Sequence, residues 1–239
     1  MEKAKFFSVG FEGPNRVGKS TQIELFKKKL DELDVPYLVV RGDGSRPNEG
    51  RHSGDPISEW WESMLLKLRS EAVGSEDWDK SAYRLARELI VFRDRVLPRI
   101  AGGAPFAFLL IDRSILSRTM VPRESGSENI EKRLYPEEAR EKGRRITTQK
   151  ICPDLIINLR ADLDTLLSRL DEKDPKYKFR RGLIMQKHTW YEDAVDFIPE
   201  ELRDRVVQVD STETIEDVHS EICRVVGKRF PQVERLFKK

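Results

Sequence analysis

The sequence predicts an α/β fold: a doubly wound, five-stranded parallel sheet with surrounding helices and a small lid. Three observations predict it. Apolar runs recur along the chain, amphipathic helical patterns lie between them, and a glycine-rich, lysine-bearing turn joins the first run to the first helical pattern.

The strand candidates are Phe6 to Phe11, Tyr37 to Val40, Phe106 to Ile111, Leu155 to Leu159 and Val206 to Val209. Most are continuous apolar runs rather than alternating ones, as strands covered on both faces require. Between them, Ile23, Phe26, Leu30 and Leu33 form one helical stripe. Leu163, Leu166, Leu167 and Leu170 form a second, and Ile215, Val218, Ile222 and Val225 a third. Strands alternating with helices imply right-handed crossovers, and such sheets bind ligands beyond the carboxyl ends of their strands. Two stretches fit this scheme less well: Gly42 to Pro56, rich in Gly, Ser, Arg, Asp and Pro, reads as a long loop, and the charged segment Pro122 to Gly143 is expected to carry a short helix near Pro136 to Glu141.

A chain of 239 residues suits one domain over 1–239, with a lid segment at about 173–182. Its 44 basic and 42 acidic residues leave a net charge of +2, which gives no reason to expect nucleic acid or membrane as a partner. No apolar run approaches the ~20 residues that span a bilayer. Cys152 and Cys223 lack metal-ligand spacing and read as reduced thiols of a cytoplasmic protein.

The chemistry concentrates at Gly13-Pro14-Asn15-Arg16-Val17-Gly18-Lys19-Ser20, a full match to G-x-x-x-x-G-K-[ST] between a strand and a helix. Gly13 and Gly18 let the backbone curl so that its N–H groups face phosphate oxygens. The following helix presents its positive end to the same anion. Lys19 is expected on the β- and γ-phosphates of ATP, Ser20 on Mg²⁺, and Asn15 and Thr21 beside them. The run Leu109-Leu110-Ile111-Asp112 ends a strand in an acid, so Asp112 is the second expected metal contact. Arg113 follows at once, and an arginine there suits a bidentate clamp on a phosphoryl group.

No Asn-Lys-x-Asp base-reading motif of a GTPase is present, which leaves the small nucleoside and nucleotide kinases. Here the chain resembles the thymidylate kinase family over most of its length. The resemblance rests on Phe11-Glu12-Gly13-Pro14-Asn15-Arg16-Val17-Gly18-Lys19-Ser20-Thr21, on Asp112-Arg113-Ser114 with Ser117, and on Pro153-Asp154-Leu155 before the fourth strand. It implies phosphoryl transfer from ATP to a nucleoside monophosphate, with dTMP the acceptor expected first and dTDP the product. It implies that Arg16 serves the transfer and that Arg113 and Arg41 hold the acceptor phosphate. Asn15 stands where the family has an Asp that contacts the acceptor sugar. Ser114 stands where it has Tyr, and Gly42-Asp43 depart from its Arg-Glu-Pro motif. Tyr83 and Arg87, four apart and so on one helix face, correspond to an aromatic that stacks on the base and an arginine that bonds it. A homodimer through the helices between the second and third strands is implied in the same way.

The basic run Lys173 to Arg181, broken by Pro175, sits where nucleotide kinases carry a lid that closes over ATP. Arg180 is expected to act in catalysis and Arg181 to contact the nucleotide. Two rival readings stand beside this one. A deoxynucleoside kinase would deprotonate a 5′-hydroxyl, with Asp43 as the base and Ser114 as a further pointer. A catalytically silent protein would bind ATP without turnover.

Overall fold

The computed structural model describes residues 5–41, 49–50, 97–114, 116–117, 152–198 and 200–237. In chain order these form β1 (Lys5–Glu12), α1 (Lys19–Glu32), β2 (Tyr37–Arg41), β3 (Glu49–Gly50), α2 (Leu97–Ile100), β4 (Phe106–Asp112) and β5 (Leu155–Arg160). They continue with α3 (Leu163–Ser168), α4 (Tyr177–Asp193), two 3₁₀ turns over Ala194–Phe197 and Glu200–Arg205, β6 (Val206–Asp210), α5 (Ile215–Arg229) and α6 (Glu234–Phe237).

The sheet order is β3-β2-β4-β1-β5-β6. The five expected strands are β1, β2, β4, β5 and β6, and all their pairings are parallel. One strand was not expected. Glu49–Gly50, inside the segment read as a loop, pairs antiparallel with Leu38 and Val39 and closes that edge of the sheet.

β1 lies centrally because it is buried on both faces: Val9 and Phe11 are fully buried and Phe7 nearly so on one, and Ser8 and Glu12 are buried on the other. One face of the sheet packs on α1, α5 and α6 through aromatic rings. Phe7 meets Phe230 at 4.6 Å between centroids, and Phe26 stacks on Phe237 at 5.4 Å. The helical stripes are the seams: Ile23, Phe26 and Leu30 of α1 are fully buried, as is Ile222 of α5. Ile215 is the exception. Expected on the α5 stripe, it is 52% exposed because it begins the helix, one residue past the Thr214 cap, where the chain turns out toward a cavity.

Helix starts follow their capping chemistry. Thr214 accepts from the Asp217 N–H and donates its hydroxyl back to the Asp217 carboxylate. Asp162 caps α3 by accepting from the Thr165 N–H at 2.7 Å. Cys152 and Cys223 are both buried and free, and burial pushes each thiol up to about 11. Among the described residues no helix is long and apolar enough to cross a membrane.

Sheet register brings the distant motifs together. Phe11 pairs with Asp112, and Arg41 pairs with Asp112 from the other side. The phosphate-loop turn, the Asp112-Arg113 pair and the end of β2 therefore emerge side by side at one edge. Two polar residues enter the interior of the sheet there, Glu12 and Asn158, and they are register partners on β1 and β5.

Candidate active site

The turn after β1 is shaped by backbone that side chains resist. Gly13 has φ 132°, and a Cβ on it would lie 2.4 Å from the Leu159 carbonyl oxygen. Only glycine meets both conditions. Gly13→Ala is expected to destabilise the protein by about 2–5 kcal/mol, from strain and overpacking together. Urea melts of the two proteins check this, and an unchanged midpoint would refute it. Arg16 is left-handed at φ 68°, and Gly18, at φ 100°, precedes the first turn of α1. The curl closes on Lys19, whose Nζ donates to the Gly13 and Pro14 carbonyls at 2.8 and 2.7 Å.

Lys19 is buried, and desolvation with the nearby Arg113 charge lowers its amine to about 7. Asp112 and Glu12 pull in the other direction without prevailing. An anion reaching this amine would reverse the balance.

A cavity of about 920 Å³ opens above the loop. Asn15, Arg16, Gly18, Lys19, Ser20 and Thr21 line its floor, with Asp112 and Arg113 at one side. The Arg113 Nη2 donates to Asn15 Oδ1 at 2.7 Å. The Arg113 backbone is left-handed, φ 67°, with its N–H held by the Phe11 carbonyl at 3.0 Å. A non-glycine residue keeps that conformation at a cost of about 1–3 kcal/mol, and only where its surroundings fix it.

Arg169, Ser211, Glu213 and Ile215 line the same cavity. Sequence reasoning missed Arg169. It donates to the Ser211 carbonyl at 2.7 Å and to the Arg16 carbonyl at 3.3 Å, tying the end of α3 to the phosphate loop and to the segment after β6. Its only local signal is a basic residue ending an amphipathic stripe.

The basic lid run divides. α4 begins at Tyr177, so Lys176, Phe179, Arg180 and Leu183 share the cavity face. Arg180 is ion-paired with Asp174 at 2.6 Å. Arg181 is exposed and does not line the cavity. Helical rotation thus separates two neighbours that were both expected at the nucleotide, and it turns Arg181 away from the cavity.

Arg41 ends β2 beside Asp112. Asp43, Tyr83 and Arg87 lie outside the described residues. Ser114 turns inward rather than toward an acceptor. It is buried, and both its N–H and its hydroxyl donate to the Glu12 carboxylate. Glu12, which sequence reasoning quoted only as part of a motif, is fully buried behind the loop.

The chemistry of the donors fits a magnesium ion: Ser20 and Asp112 both line the cavity and both offer hard oxygen atoms. Mg²⁺ is ordinarily held by one or two protein oxygens, with water and substrate phosphates completing the shell.

No protein-family model matches the chain. Among curated proteins, it is 25% identical over 221 residues to a thymidylate kinase of Fervidobacterium nodosum, covering 91% of this chain and 96% of that one. It is 26% identical over 237 residues to that of Lactobacillus helveticus, covering 95% and 98%. Over a shorter stretch of 164 residues it is 30% identical to that of Thermomicrobium roseum, covering 67% and 66%. Among solved structures, the thymidylate kinase of Candida albicans superposes with a TM-score of 0.54 at 15% identity, over 99% of this chain and 96% of that one, which bears on the fold alone. Over nearly its full length the chain is similar to several such enzymes, which supports its place in the thymidylate kinase family.

Proposed function

We propose that this chain is a nucleoside monophosphate kinase that transfers the γ-phosphoryl group of ATP to dTMP, giving dTDP and ADP. One observation carries the reading. A complete phosphate loop and an arginine from the adjacent strand end meet at one cavity, 2.7 Å apart at Asn15 and Arg113. That juxtaposition suits two phosphate-bearing substrates facing each other in line.

In this reading the loop N–H groups, Gly13, Gly18 and the start of α1 hold the polyphosphate, with Thr21 beside it. The base end of ATP lies toward Arg169, Ser211 and Ile215. Ser20 and Asp112 would hold Mg²⁺, which would supply neutralising charge to the phosphates. Lys19, Arg16, Arg113 and Arg180 spread the negative charge that grows on the phosphoryl oxygens. Arg113 and Arg41 hold the acceptor phosphate, while Tyr83 and Arg87 receive its base. A monophosphate is already ionised, so the transfer needs no strong general base. The inward turn of Ser114 removes the pointer toward a nucleoside acceptor.

The reading also includes a cytoplasmic setting, a homodimer, and a free nucleotide rather than nucleic acid as partner. The near-balanced charge supports the last of these.

The test is ADP release with Mg-ATP against dTMP, dUMP, other monophosphates, thymidine and other deoxynucleosides. Turnover with dTMP but not thymidine is expected. Turnover with nucleosides alone would overturn the assignment and turn attention to Asp43. ATP binding with no turnover across the panel would favour a silent binding protein.

A further inference from the structure

The buried carboxylate of Glu12 belongs to no step above, yet it accepts five hydrogen bonds. It accepts from Ser114 N–H, Ser114 Oγ, Ser117 N–H, Ser117 Oγ and Tyr191 OH. The two backbone groups can only donate, and five donors saturate the roughly four lone-pair positions of an ionised carboxylate. Burying a carboxylate costs several kcal/mol unless such bonds compensate it. Glu12 is fully buried, so its place behind the loop is a built one.

The cluster touches three parts of the site. On the first side it fixes Arg113. The left-handed Arg113 backbone is held by two successive N–H groups, its own on the Phe11 carbonyl and that of Ser114 on Glu12 Oε1. The carbonyl of residue 11 and the carboxylate of residue 12 thus hold successive amides of the strained corner from one strand. On the second side Glu12 is the last residue of β1 and leads directly into Gly13 of the phosphate loop. On the third side lies α4, a helix roughly 25 Å long. Its first turns carry Arg180 to the cavity, and near its other end Tyr191 places its hydroxyl 3.0 Å from Glu12 Oε2 and 2.8 Å from Ser117 Oγ. Burial and the Glu12 charge raise the Tyr191 phenol well above its usual value, so it stays a donor.

Space is kept for this arrangement. Gly10 lies on β1 beneath Ser114, and a Cβ there would stand 2.7 Å from Ser114 Oγ. The inward Ser114 hydroxyl, its hydrogen bond to Glu12 and the bare backbone of Gly10 are one packing solution.

We propose that Glu12 is a positioning residue of the phosphoryl transfer: it holds Arg113 in its left-handed, substrate-facing conformation and ties the lid helix to the phosphate loop through Tyr191. This rests on the reaction assigned above. Glu12 touches neither substrate and acts through the groups it orients.

The experiment compares Glu12→Ala, Glu12→Gln, Tyr191→Phe and the Ser117→Ala/Tyr191→Phe double variant. Each is read by steady-state kinetics on dTMP and on ATP, and by thermal melting. Glu12→Ala is expected to lower kcat/KM for dTMP at least about tenfold while KM for ATP stays within about threefold, because small misplacements of a clamp are costly. Glu12→Gln is expected to recover most of that loss. Its amide oxygen can face the two N–H groups, and its NH₂ can face the hydroxyls, which can accept. Tyr191→Phe leaves four donors on the carboxylate and is expected to reduce kcat by a few-fold. Should Glu12→Ala fail to fold, the double variant, which strips the side-chain donors from Oε2, is expected to lower kcat/KM for dTMP about threefold to tenfold. Variants that melt earlier but keep kcat and both KM values would overturn the proposal and leave a purely structural cluster. A wild-type chain that binds ATP and turns over no monophosphate would overturn the reaction itself, a failure visible before any variant is made.

Discussion

Lys19→Met is expected to lower turnover by about 10³-fold or more while leaving the fold in place. The amine is the only charged group buried within the phosphate loop, and it donates to the Gly13 and Pro14 carbonyls. Methionine fills nearly the same volume and cannot stabilise charge on a transferring phosphoryl group, where a single donor is worth about 10²–10³ and a charged one more. Single-turnover kinetics at saturating ATP would check this, and a loss of less than tenfold would remove Lys19 from the transfer.

The same substitution has a signature in proton balance. Burial, with the Arg113 charge, lowers the free Lys19 amine to about 7. Phosphate oxygens against it favour the charged form, so ATP binding at pH 8 is expected to take up a fraction of a proton approaching one. The uptake should shrink toward pH 6, where the amine is already charged, and vanish in Lys19→Met. Calorimetry in two buffers of different ionisation enthalpy reads it directly. The folding equilibrium moves in a matching way. Between about 7 and the ordinary lysine value of 10.5 the unfolded chain holds a proton that the folded one lacks, so this group's contribution makes the protein more stable as pH rises through that window.

Arg113→Ala is expected to lower kcat/KM for the acceptor by about 10²–10³ and to change KM for ATP little. Lysine should rescue poorly. The guanidinium spans from the end of β4 to Asn15 Oδ1, and a second phosphate needs the flat fork that an ammonium lacks. Initial rates over a dTMP series at saturating ATP would decide it. An unchanged acceptor KM would show that Arg113 holds only the loop.

The sequence by itself determined the local devices. Continuous apolar runs marked five strands, 3.6-residue periodicity marked α1, α3 and α5, and Gly13, Gly18, Lys19 and Ser20 marked the anion cradle, because each depends on residues close in the chain. The tertiary structure decided what depends on neighbours far away. Which strands lie side by side, and so the meeting of Phe11 with Asp112, follows from sheet order. The two-residue edge strand at Glu49 needs β2 as its template, since so short a run has no periodicity of its own. Where α4 starts set which face its arginines present, and so separated Arg180 from Arg181. Glu12 shows the limit most plainly. Its partners stand 102, 105 and 179 residues away, and nothing local distinguishes a buried acceptor of five hydrogen bonds from an acid at a strand end. Hydrogen bonds of that range are chosen by packing, after the strands and helices have already been specified by their own residues.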